Sequence, residues 1–327
     1  MQAEWPETRF TWIIGRVEAG LIGDIPEIEF IIFDKSRGWR AYLTLYRQLH
    51  NRRFDVLLHM QIALRASLVS LLVRARLRLG FDKERAKDYQ WLFTNARIAA
   101  RPRQHVMDGL FGFAEALGVK RRVLNWDIPQ PEPAVHRVSS LVHGDKPLLV
   151  ISPCSSDRRR NWRNWSAERY AEVADYAGDT LGMQVVLTGG SSQREQQMGE
   201  AIANCCRNRP IDLIGKTSLK ELLVLLNRAA VLIAPDSGPV HIATTVGTPV
   251  IGLYATSNPA RTGPYLSQQW VVNRYEEALR GELGKSSDEV RWGTRVRNPE
   301  AMLRISSQEV KEKLSALMSQ RSVNMDD

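Results

Sequence analysis

A chain of 327 residues in which 43% of the side chains are hydrophobic and 25% are charged has the composition of an ordinary globular protein, and its length allows about two domains. This composition excludes a disordered chain, a collagen and a small disulfide-built scaffold. The formal charge of +9 is unevenly distributed, because residues 35–103 contain 16 Lys and Arg against 4 Asp and Glu.

The basic segment 35–103 predicts an anionic partner, which is a phosphorylated small molecule, an anionic membrane surface or a nucleic acid. A solvated basic face kept for solubility would give the same count, and this alternative stays open. The sequence contains no RNP-type aromatic motif, zinc-finger spacing or basic heptad region. We therefore expect no nucleic-acid partner.

The cysteines and the apolar stretches indicate the compartment. Cys154, Cys205 and Cys206 match neither a zinc site nor an extracellular disulfide framework, which favours a reduced, cytoplasmic compartment. The most apolar stretch, residues 64–73, is interrupted by polar residues and is shorter than the ~20 residues of a membrane span. The first residues are acidic, unlike those of a secretory signal. We expect a chain that is neither exported nor embedded in a membrane.

Short apolar runs alternate with amphipathic stretches in the first half of the chain. Strands are predicted at 10–14, 29–33 and 55–58, and helices at 40–49, 64–73 and 105–117. Strands separated by helices of this length form a parallel sheet that is covered on both faces. Three prolines then fall in the polar stretch 125–136, which predicts a linker.

The same alternation restarts after the predicted linker. Strands are predicted at 147–152, 184–188, 231–234 and 250–254, and helices at 167–181, 194–207, 219–228 and 307–318. We predict an α/β chain with two doubly wound, Rossmann-like domains that face a cleft, at residues 1–143 and 144–305, followed by a C-terminal helix and tail at 306–327. Ligands of such folds bind outside the carboxyl ends of the strands.

Asp236 opens a polar motif at the end of the predicted strand 231–234. Ser237 and Gly238 follow, Pro239 occupies a natural first helical position, and His241 lies on the first helical turn. Small residues before a helix let an anion approach its free backbone N–H groups, which predicts a phosphate site. The alternative is that Asp236 or Ser237 is only an N-cap and His241 a packed helix residue.

A second polar motif follows the predicted strand 147–152. This loop carries Ser155, Ser156 and four arginines, of which the last is Arg163. Forked guanidinium donors and hydroxyls suit a diphosphate, although a solvated basic loop would have the same composition. Gly189 and Gly190 follow the next strand and predict a tight turn near the same cleft.

Several motifs of the second half resemble one known family. Asp236-Ser-Gly-Pro-Val-His241, Thr248-Pro-Val-Ile-Gly-Leu-Tyr254, Thr188-Gly-Gly190 and Lys216-Thr-Ser-Leu219 look like the donor-binding half of the lipopolysaccharide heptosyltransferases, glycosyltransferase family 9. Residues 292–302 are similar to the branch whose enzymes add the first heptose to a phosphorylated Kdo (3-deoxy-D-manno-octulosonic acid). The resemblance covers essentially the whole chain.

The resemblance implies a GT-B architecture and an inverting, metal-independent transfer of heptose from an ADP-heptose donor to Kdo of lipid A in the lipopolysaccharide inner core. It implies no cofactor and no metal site. It also implies a cytoplasmic enzyme at the cytosolic face of the inner membrane, in peripheral contact with the anionic leaflet.

The family's donor-binding residues can be carried over position by position. The resemblance assigns the diphosphate and sugar to Ser155, Ser156 and Arg163, and the phosphates and heptose to Asp236, Ser237, Gly238 and His241. Arg163 stands where a lysine is common in the family. Where the family often has a glutamate for the nucleotide ribose, this chain has Lys220, and the neighbouring Glu221 is the candidate for that contact.

The acceptor candidates come from the basic first half. Arg37 and Arg40 follow the predicted strand 29–33, and Gln61 and Arg65 follow the strand 55–58. Residues that follow strand ends face the predicted cleft, where the phosphate and the carboxylates of Kdo need cationic partners. Arg74, Arg76 and Arg78 are expected to meet lipid or water instead.

The front of the chain departs from the family pattern. Family members begin with a strand and a Gly-Asp loop whose aspartate is the expected base, whereas Met1 falls in the segment that leads to the second strand and Gly23-Asp24 lies in a different register. We therefore expect the first strand and the catalytic carboxylate to be absent from this sequence, which leaves the catalytic residue unknown. Two explanations stay open: a start codon placed too far downstream in a real enzyme, and a truncated chain.

The alternative function is a non-catalytic or truncated nucleotide-sugar or anionic glycolipid-binding protein.

Overall fold

The computed structural model describes residues 1–155 and 161–326, and the chain divides into two compact units, Met1–Pro129 and Gln130–Asp327. This division lies upstream of the boundary expected at residue 143. Within the described residues, no helix is both long enough and apolar enough to cross a membrane.

The first unit alternates strands and helices as the sequence predicts. Its elements are β1 (Phe10–Gly15), α1 (Arg16–Ile22), β2 (Ile28–Phe33), α2 (Trp39–Leu49), β3 (Phe54–Leu58), α3 (Leu64–Ser70), β4 (Ala75–Gly80), β5 (Ala96–Arg97) and α4 (Val106–Ala116). The three strands and three helices predicted here are confirmed within a few residues at each end. The elements α1, β4 and β5 were not predicted.

The strands of the first unit form two parallel sheets, β1–β2 and β3–β4–β5, rather than one. Leu45 and Leu49 of α2 lie four residues apart, and this spacing turns both toward Ile31 of β2. Val69 and Val73, on and just after α3, complete the same cluster. This cluster is the largest apolar core described for the unit.

A buried polar pair lies beside the second of these sheets. His59, directly after β3, is 4% exposed, and its Nε2 lies 3.1 Å from the Ser67 hydroxyl of α3. Arg78 of β4 donates to the carbonyls of Ser70, Val73 and Phe93 at 2.8–2.9 Å. The expectation that Arg78 meets lipid or water is therefore wrong. Burial and the nearby Arg78 charge lower the pKa of His59 to about 4.

The second unit contains the remaining elements. They are α5 (Glu132–Leu141), β6 (Leu148–Ile151), α6 (Ala167–Asp179), β7 (Gln184–Leu187), α7 (Gln193–Cys205), β8 (Ile211–Asp212), α8 (Leu219–Arg228), β9 (Val231–Pro235), α9 (Gly238–Thr245), β10 (Val250–Tyr254), α10 (Pro259–Thr262), β11 (Val272–Asn273), α11 (Tyr275–Leu283) and α12 (Ser307–Asp326). The four strands predicted in this half are confirmed as β6, β7, β9 and β10, and the helix predicted at 307–318 is confirmed and extends further.

The strands of this unit form one parallel sheet in the order β11-β10-β9-β6-β7-β8. Every residue of β6, β9 and β10 is buried, as expected for strands that helices cover on both faces. Because neighbouring strands are parallel, the loops after β6, β7, β9 and β10 begin at the same edge of the sheet.

Helix α5 replaces the last part of the predicted linker, from residue 132 onward. It begins at Glu132, and Pro133 lies in its first turn, where proline is tolerated because its missing N–H would have no helical partner. The helix packs on α8, where the Arg228 guanidinium lies 3.4 Å from both the Ser139 hydroxyl and the Val142 carbonyl. The prolines therefore lie just before and in the first turn of a helix, and only the residues before Glu132 form a linker without regular structure.

The C-terminal segment closes the core of the second unit. The buried Trp165 indole donates to the Ile305 carbonyl at 3.0 Å, and Arg169 of α6 donates to the Leu303 carbonyl at 2.8 Å. Helix α12 then lies along α6, where the Tyr176 and Ser315 hydroxyls are 2.7 Å apart. Several side chains between Ala301 and Leu317 are thus part of the core.

Shortening Leu314 to alanine is expected to destabilise the protein by about 2–5 kcal/mol, because this α12 side chain is fully buried and its loss leaves a cavity. Leu303, which is 51% exposed, is the matched control, and Leu303→Ala should cost less than about 1 kcal/mol. Urea unfolding followed by circular dichroism measures both. Equal midpoints for the two variants would contradict the role of α12 in the core.

The low pKa of His59 makes stability depend on pH. The unfolded chain binds a proton near pH ~6.5, whereas the folded ring binds one only near pH 4, so protons favour unfolding between these values. Stability should fall by up to about 3 kcal/mol as the pH drops from 6.5 to 4. Urea titrations at several pH values should show a shallower pH slope for His59→Asn than for wild type. Gln48→Asn, at an exposed position on α2 that does not titrate, is the control and should keep the wild-type slope.

Candidate functional site

The candidate site lies at the carboxyl edge of the sheet in the second unit. Ser155 follows β6, Thr188 and Gly189 follow β7, and Asp236 and Ser237 follow β9. The parallel order of these strands brings the predicted residues to one edge although they are widely separated in sequence. Ser156 lies outside the described residues.

The start of α9 is the candidate anion site at this edge. Ser237 is the N-cap residue, but its side chain makes no capping hydrogen bond, and its buried hydroxyl has no partner among the described residues. The first N–H groups of a helix lack helical partners and attract anions. A Cβ placed on Gly238 would meet no atom within 4 Å, so the space beside it is open. The alternative that Ser237 is only a cap is not supported.

A buried ion pair flanks the helix start. The Arg163 guanidinium donates to the Asp236 carbonyl at 2.8 Å and lies 3.3 Å from the Asp236 carboxylate. Both side chains are largely buried, so solvent screens their attraction little. The loop after β6 and the end of β9, 73 residues apart in sequence, are therefore held together.

Two asparagines shape the loop that carries Ser155 and Arg163. The Asn161 side-chain oxygen accepts from the Ser155 hydroxyl at 2.9 Å and from the Arg163 backbone N–H at 3.1 Å. The Asn164 side-chain oxygen accepts from the Ser155 N–H and from the Asn161 amide, both at 3.1 Å. The sequence pattern did not indicate these asparagines, because their role depends on how the loop folds and not on a position at a strand end.

Two further buried hydroxyls lie at strand ends. Thr188 after β7 is 1% exposed and Ser257 after β10 is 5% exposed, and neither side-chain oxygen has a hydrogen-bond partner among the described residues. A buried hydroxyl without a partner costs roughly 1–3 kcal/mol, so each such group is a place where a water molecule or a ligand can complete the hydrogen bonding. Ser257 was missed, although its position directly after a predicted strand is a usable signal.

Two more arginines approach Asp236, and neither was predicted from the sequence. Arg295 lies 3.9 Å from the Asp236 carboxylate. Arg261 of α10 lies beside Gly293, and burial together with the Arg295 charge lowers its pKa, whereas Asp236 opposes this shift. The end of β9 is thus surrounded by positive charge.

His241 lies on the first turn of α9 with an exposed ring. Partial desolvation by the surrounding protein lowers its pKa below the ordinary value, and the Asp236 carboxylate opposes this shift. The ring is therefore mainly neutral at pH 7, with one nitrogen as a donor and the other as an acceptor. The alternative that His241 is a packed helix residue is not supported by its exposure.

Gly189, Gly190 and Glu221 have structural contacts in addition to their predicted roles. The Gly190 N–H donates to the Glu195 carboxylate, and a Cβ on Gly189 would lie 2.7 Å from the same group. Glu221 accepts from the Ser218 N–H at 2.6 Å in a capping box at the start of α8. Their contact with a donor stays a prediction.

The acceptor candidates in the first unit are exposed. Arg37 and Arg40 lie after β2, in the turn Lys35–Arg37 and at the start of α2, and Gln61 and Arg65 lie after β3. Their strands belong to different sheets of this unit. Asp24 lies between α1 and β2, at the amino end of β2, and its register against the family's Gly-Asp loop stays a prediction.

Comparisons with known proteins agree with this arrangement. Residues 42–290 match glycosyltransferase family 9 (heptosyltransferase). The chain is 40% identical over 310 residues to the lipopolysaccharide core heptosyltransferase OpsX of Haemophilus influenzae, which covers 95% of this chain and 88% of that protein.

Solved structures show the same fold. The glycosyltransferase family 9 protein of Veillonella parvula aligns with a TM-score of 0.79 at 22% identity, over 98% of this chain and 91% of that one. The Escherichia coli heptosyltransferase WaaC with ADP aligns with a TM-score of 0.71 at 17% identity, over 97% and 92% of the two chains. The predicted GT-B fold class is confirmed, and this chain belongs to glycosyltransferase family 9, the heptosyltransferase family.

Proposed function

We propose that this chain is an inverting, metal-independent heptosyltransferase that moves heptose from ADP-heptose to Kdo of lipid A in the lipopolysaccharide inner core. The observation that carries the donor assignment is the uncapped start of α9, where the Ser237 hydroxyl is buried without a partner beside the Arg163–Asp236 pair. The 40% identical relative is a lipopolysaccharide core heptosyltransferase, and a structural neighbour was solved with ADP.

The donor diphosphate fits the start of α9. The free N–H groups of the first turn and the Ser237 hydroxyl offer neutral donors, and Arg163 offers a forked cation. The open space at Gly238 lets a phosphate approach the backbone. In this proposal Ser155, which Asn161 positions, contacts the sugar side of the donor, and Ser156 has the same role.

His241 lies close enough to this site to respond to the donor. Its ring is mainly neutral in the free protein because partial desolvation lowers the pKa. A bound diphosphate adds negative charge, which raises the pKa and favours a proton that the ring can donate to a phosphate oxygen or a heptose hydroxyl. His241 is therefore a donor-binding residue in this proposal.

In an inverting transfer, an acceptor oxygen attacks the anomeric carbon from the side opposite the diphosphate. The bond between this carbon and the diphosphate oxygen breaks, its electron pair leaves with the nucleotide, and the acceptor proton passes to a base. Asp236 is paired with Arg163, and His241 is assigned to the donor, so neither is the base in this proposal.

The acceptor assignment rests on charge. Arg37, Arg40 and Arg65 are exposed cations that follow two strands of the first unit, and Gln61 adds an exposed amide. Guanidinium groups bind carboxylates and phosphates through forked hydrogen bonds. These residues would hold the carboxylates of Kdo and, where present, its phosphate.

Exposed apolar residues of the first unit support peripheral contact with an anionic leaflet. They are Trp39, Leu43 and Tyr46 on α2, and Leu64, Leu68 and Leu71 on or next to α3. Each set follows the spacing of one helix face, and the surrounding segment 35–103 carries a large excess of Lys and Arg. An apolar stripe among basic residues suits the interface of an anionic bilayer.

Calorimetric titration with ADP-heptose and with ADP tests the donor assignment. Wild type should bind both, and Arg163→Gln should weaken binding about 10- to 100-fold, because a charge-assisted hydrogen bond is lost. Arg194→Gln, an exposed arginine on α7, is the control and should bind as wild type does. Lack of ADP-heptose binding by the wild type would rule out the proposed donor.

A transfer assay with the same protein, in which the acceptor is lipid A that carries Kdo, separates the two candidate functions. Release of ADP together with a heptosylated product supports the transferase. Tight donor binding without product, both by this chain and by a version extended upstream to restore the expected first strand and its carboxylate, supports the nucleotide-sugar-binding alternative.

Replacing Arg65 with alanine is expected to raise the acceptor KM about tenfold, because one charge-assisted contact to an anionic group is lost. Donor affinity should stay unchanged, since Arg65 lies in the first unit and the donor site is built from the second. Initial rates at varied acceptor concentration, together with donor titration, measure both values. Arg121→Ala, an exposed arginine after α4, is the control. Weaker donor binding with an unchanged acceptor KM would contradict the assignment.

A further inference from the structure

The Asp236 carboxylate has three arginine neighbours from three separate segments. Arg163 comes from the loop after β6, at 3.3 Å, and Arg295 from the segment that precedes α12, at 3.9 Å. Arg261 comes from α10 and is close enough for its charge to interact with both Asp236 and Arg295. One carboxylate therefore faces three guanidinium groups.

The segment that carries Arg295 is held by its own contacts. The Val296 N–H donates to the Thr256 carbonyl at 3.0 Å, directly after β10. The Tyr275 hydroxyl of α11 donates to the Thr294 carbonyl at 2.9 Å. A Cβ on Gly293 would lie 3.4 Å from Arg261, so this segment and the Arg261 side chain pack against each other. These contacts place both arginines at the edge where Asp236 lies.

Among the described residues, the charges of this cluster do not balance. Three guanidinium groups and one carboxylate sum to about +2, and the Arg261 side chain is partly desolvated. The buried hydroxyls of Ser237, after β9, and Ser257, after β10, lie at the same edge of the sheet. Neither has a hydrogen-bond partner within the described part of the chain. Unbalanced positive charge and unused donors both indicate an anionic ligand of about two negative charges.

We propose that Arg261 and Arg295 bind the diphosphate of the donor, opposite Arg163, and that the Asp236 carboxylate is the counter-ion that keeps the three arginines together when no donor is bound. The ligand class is a diphosphate diester, whose two ionised groups match the surplus charge. The identity of the nucleotide and sugar rests on the proposed function, whereas the diphosphate assignment does not.

The same arginines would favour the departure of the nucleotide. When the bond from the anomeric carbon to the diphosphate oxygen breaks, the electron pair remains on that oxygen and the leaving group gains one negative charge. Cations already placed at this position stabilise the developing charge without reorganising. Arg261 and Arg295 would therefore affect the rate of transfer as well as donor binding.

Inorganic pyrophosphate is the probe that tests the cluster, because it carries the diphosphate without base or sugar. Titration calorimetry of the full chain should show pyrophosphate binding, with orthophosphate bound more weakly. Arg261→Gln and Arg295→Gln should each weaken pyrophosphate binding about tenfold or more. Arg295→Lys, which keeps the charge but loses the fork, should recover part of the affinity. Arg297→Gln is the control, because Arg297 is exposed and contacts Glu282 through its backbone N–H; it should bind within twofold of wild type.

Thermal melting of each variant separates a loss of binding from a loss of folding. Wild-type affinity in folded Arg261→Gln and Arg295→Gln variants, or no pyrophosphate binding by wild type at millimolar concentration, would overturn the inference. An equal loss in Arg297→Gln would also overturn it, because the effect would then be general charge. Arginine-dependent pyrophosphate binding in a protein that does not bind ADP-heptose would keep the cluster and overturn the proposed function.

Discussion

The parallel direction of the strands in the second unit is the constraint on which its site depends. In a parallel sheet every strand ends at the same edge, so the loops after β6, β7, β9 and β10 begin side by side. Ser155, Asp236 and Ser257 lie at the same edge for this reason, although more than 100 residues separate the first from the last. The helices on both faces bury the strands and leave that edge as the place where polar groups can be presented to a ligand.

The position of Asp236 shows how a buried carboxylate can belong to an anion site. Alone, a carboxylate at the end of β9 would repel a phosphate and would lose hydration on burial. Arg163 removes both problems, because it pairs with the carboxylate and also donates to the Asp236 carbonyl. The acid then orients a guanidinium group instead of opposing the ligand. The neighbouring Ser237 hydroxyl has no hydrogen-bond partner in the part of the chain that the structure describes, so it can still donate to a ligand.

The sequence predicts an element correctly where a single physical signal, such as an unbroken apolar run or a helix cap, determines it. The strand 250–254 and the helix 219–228 match the structure residue for residue, because one is an unbroken buried run and the other begins with a capping box. Strand β4 was missed because arginines alternate with its apolar residues, and Arg78 bonds to nearby carbonyls that only the fold provides. Arg295 was missed because its distance to Asp236 depends on how the chain folds back 59 residues later.

The hydrogen bond from Trp165 to the Ile305 carbonyl links the loop after β6 to a segment 140 residues further along the chain. On the ribosome, Trp165 emerges long before Ile305 and α12 are synthesised. Until α12 is made, the face of α6 that it will cover stays exposed and is prone to aggregation. Contacts between residues so far apart in sequence also slow folding. The loop that carries Arg163 can reach its final shape only after the last part of the chain has emerged. The candidate donor site of this unit therefore forms late in synthesis.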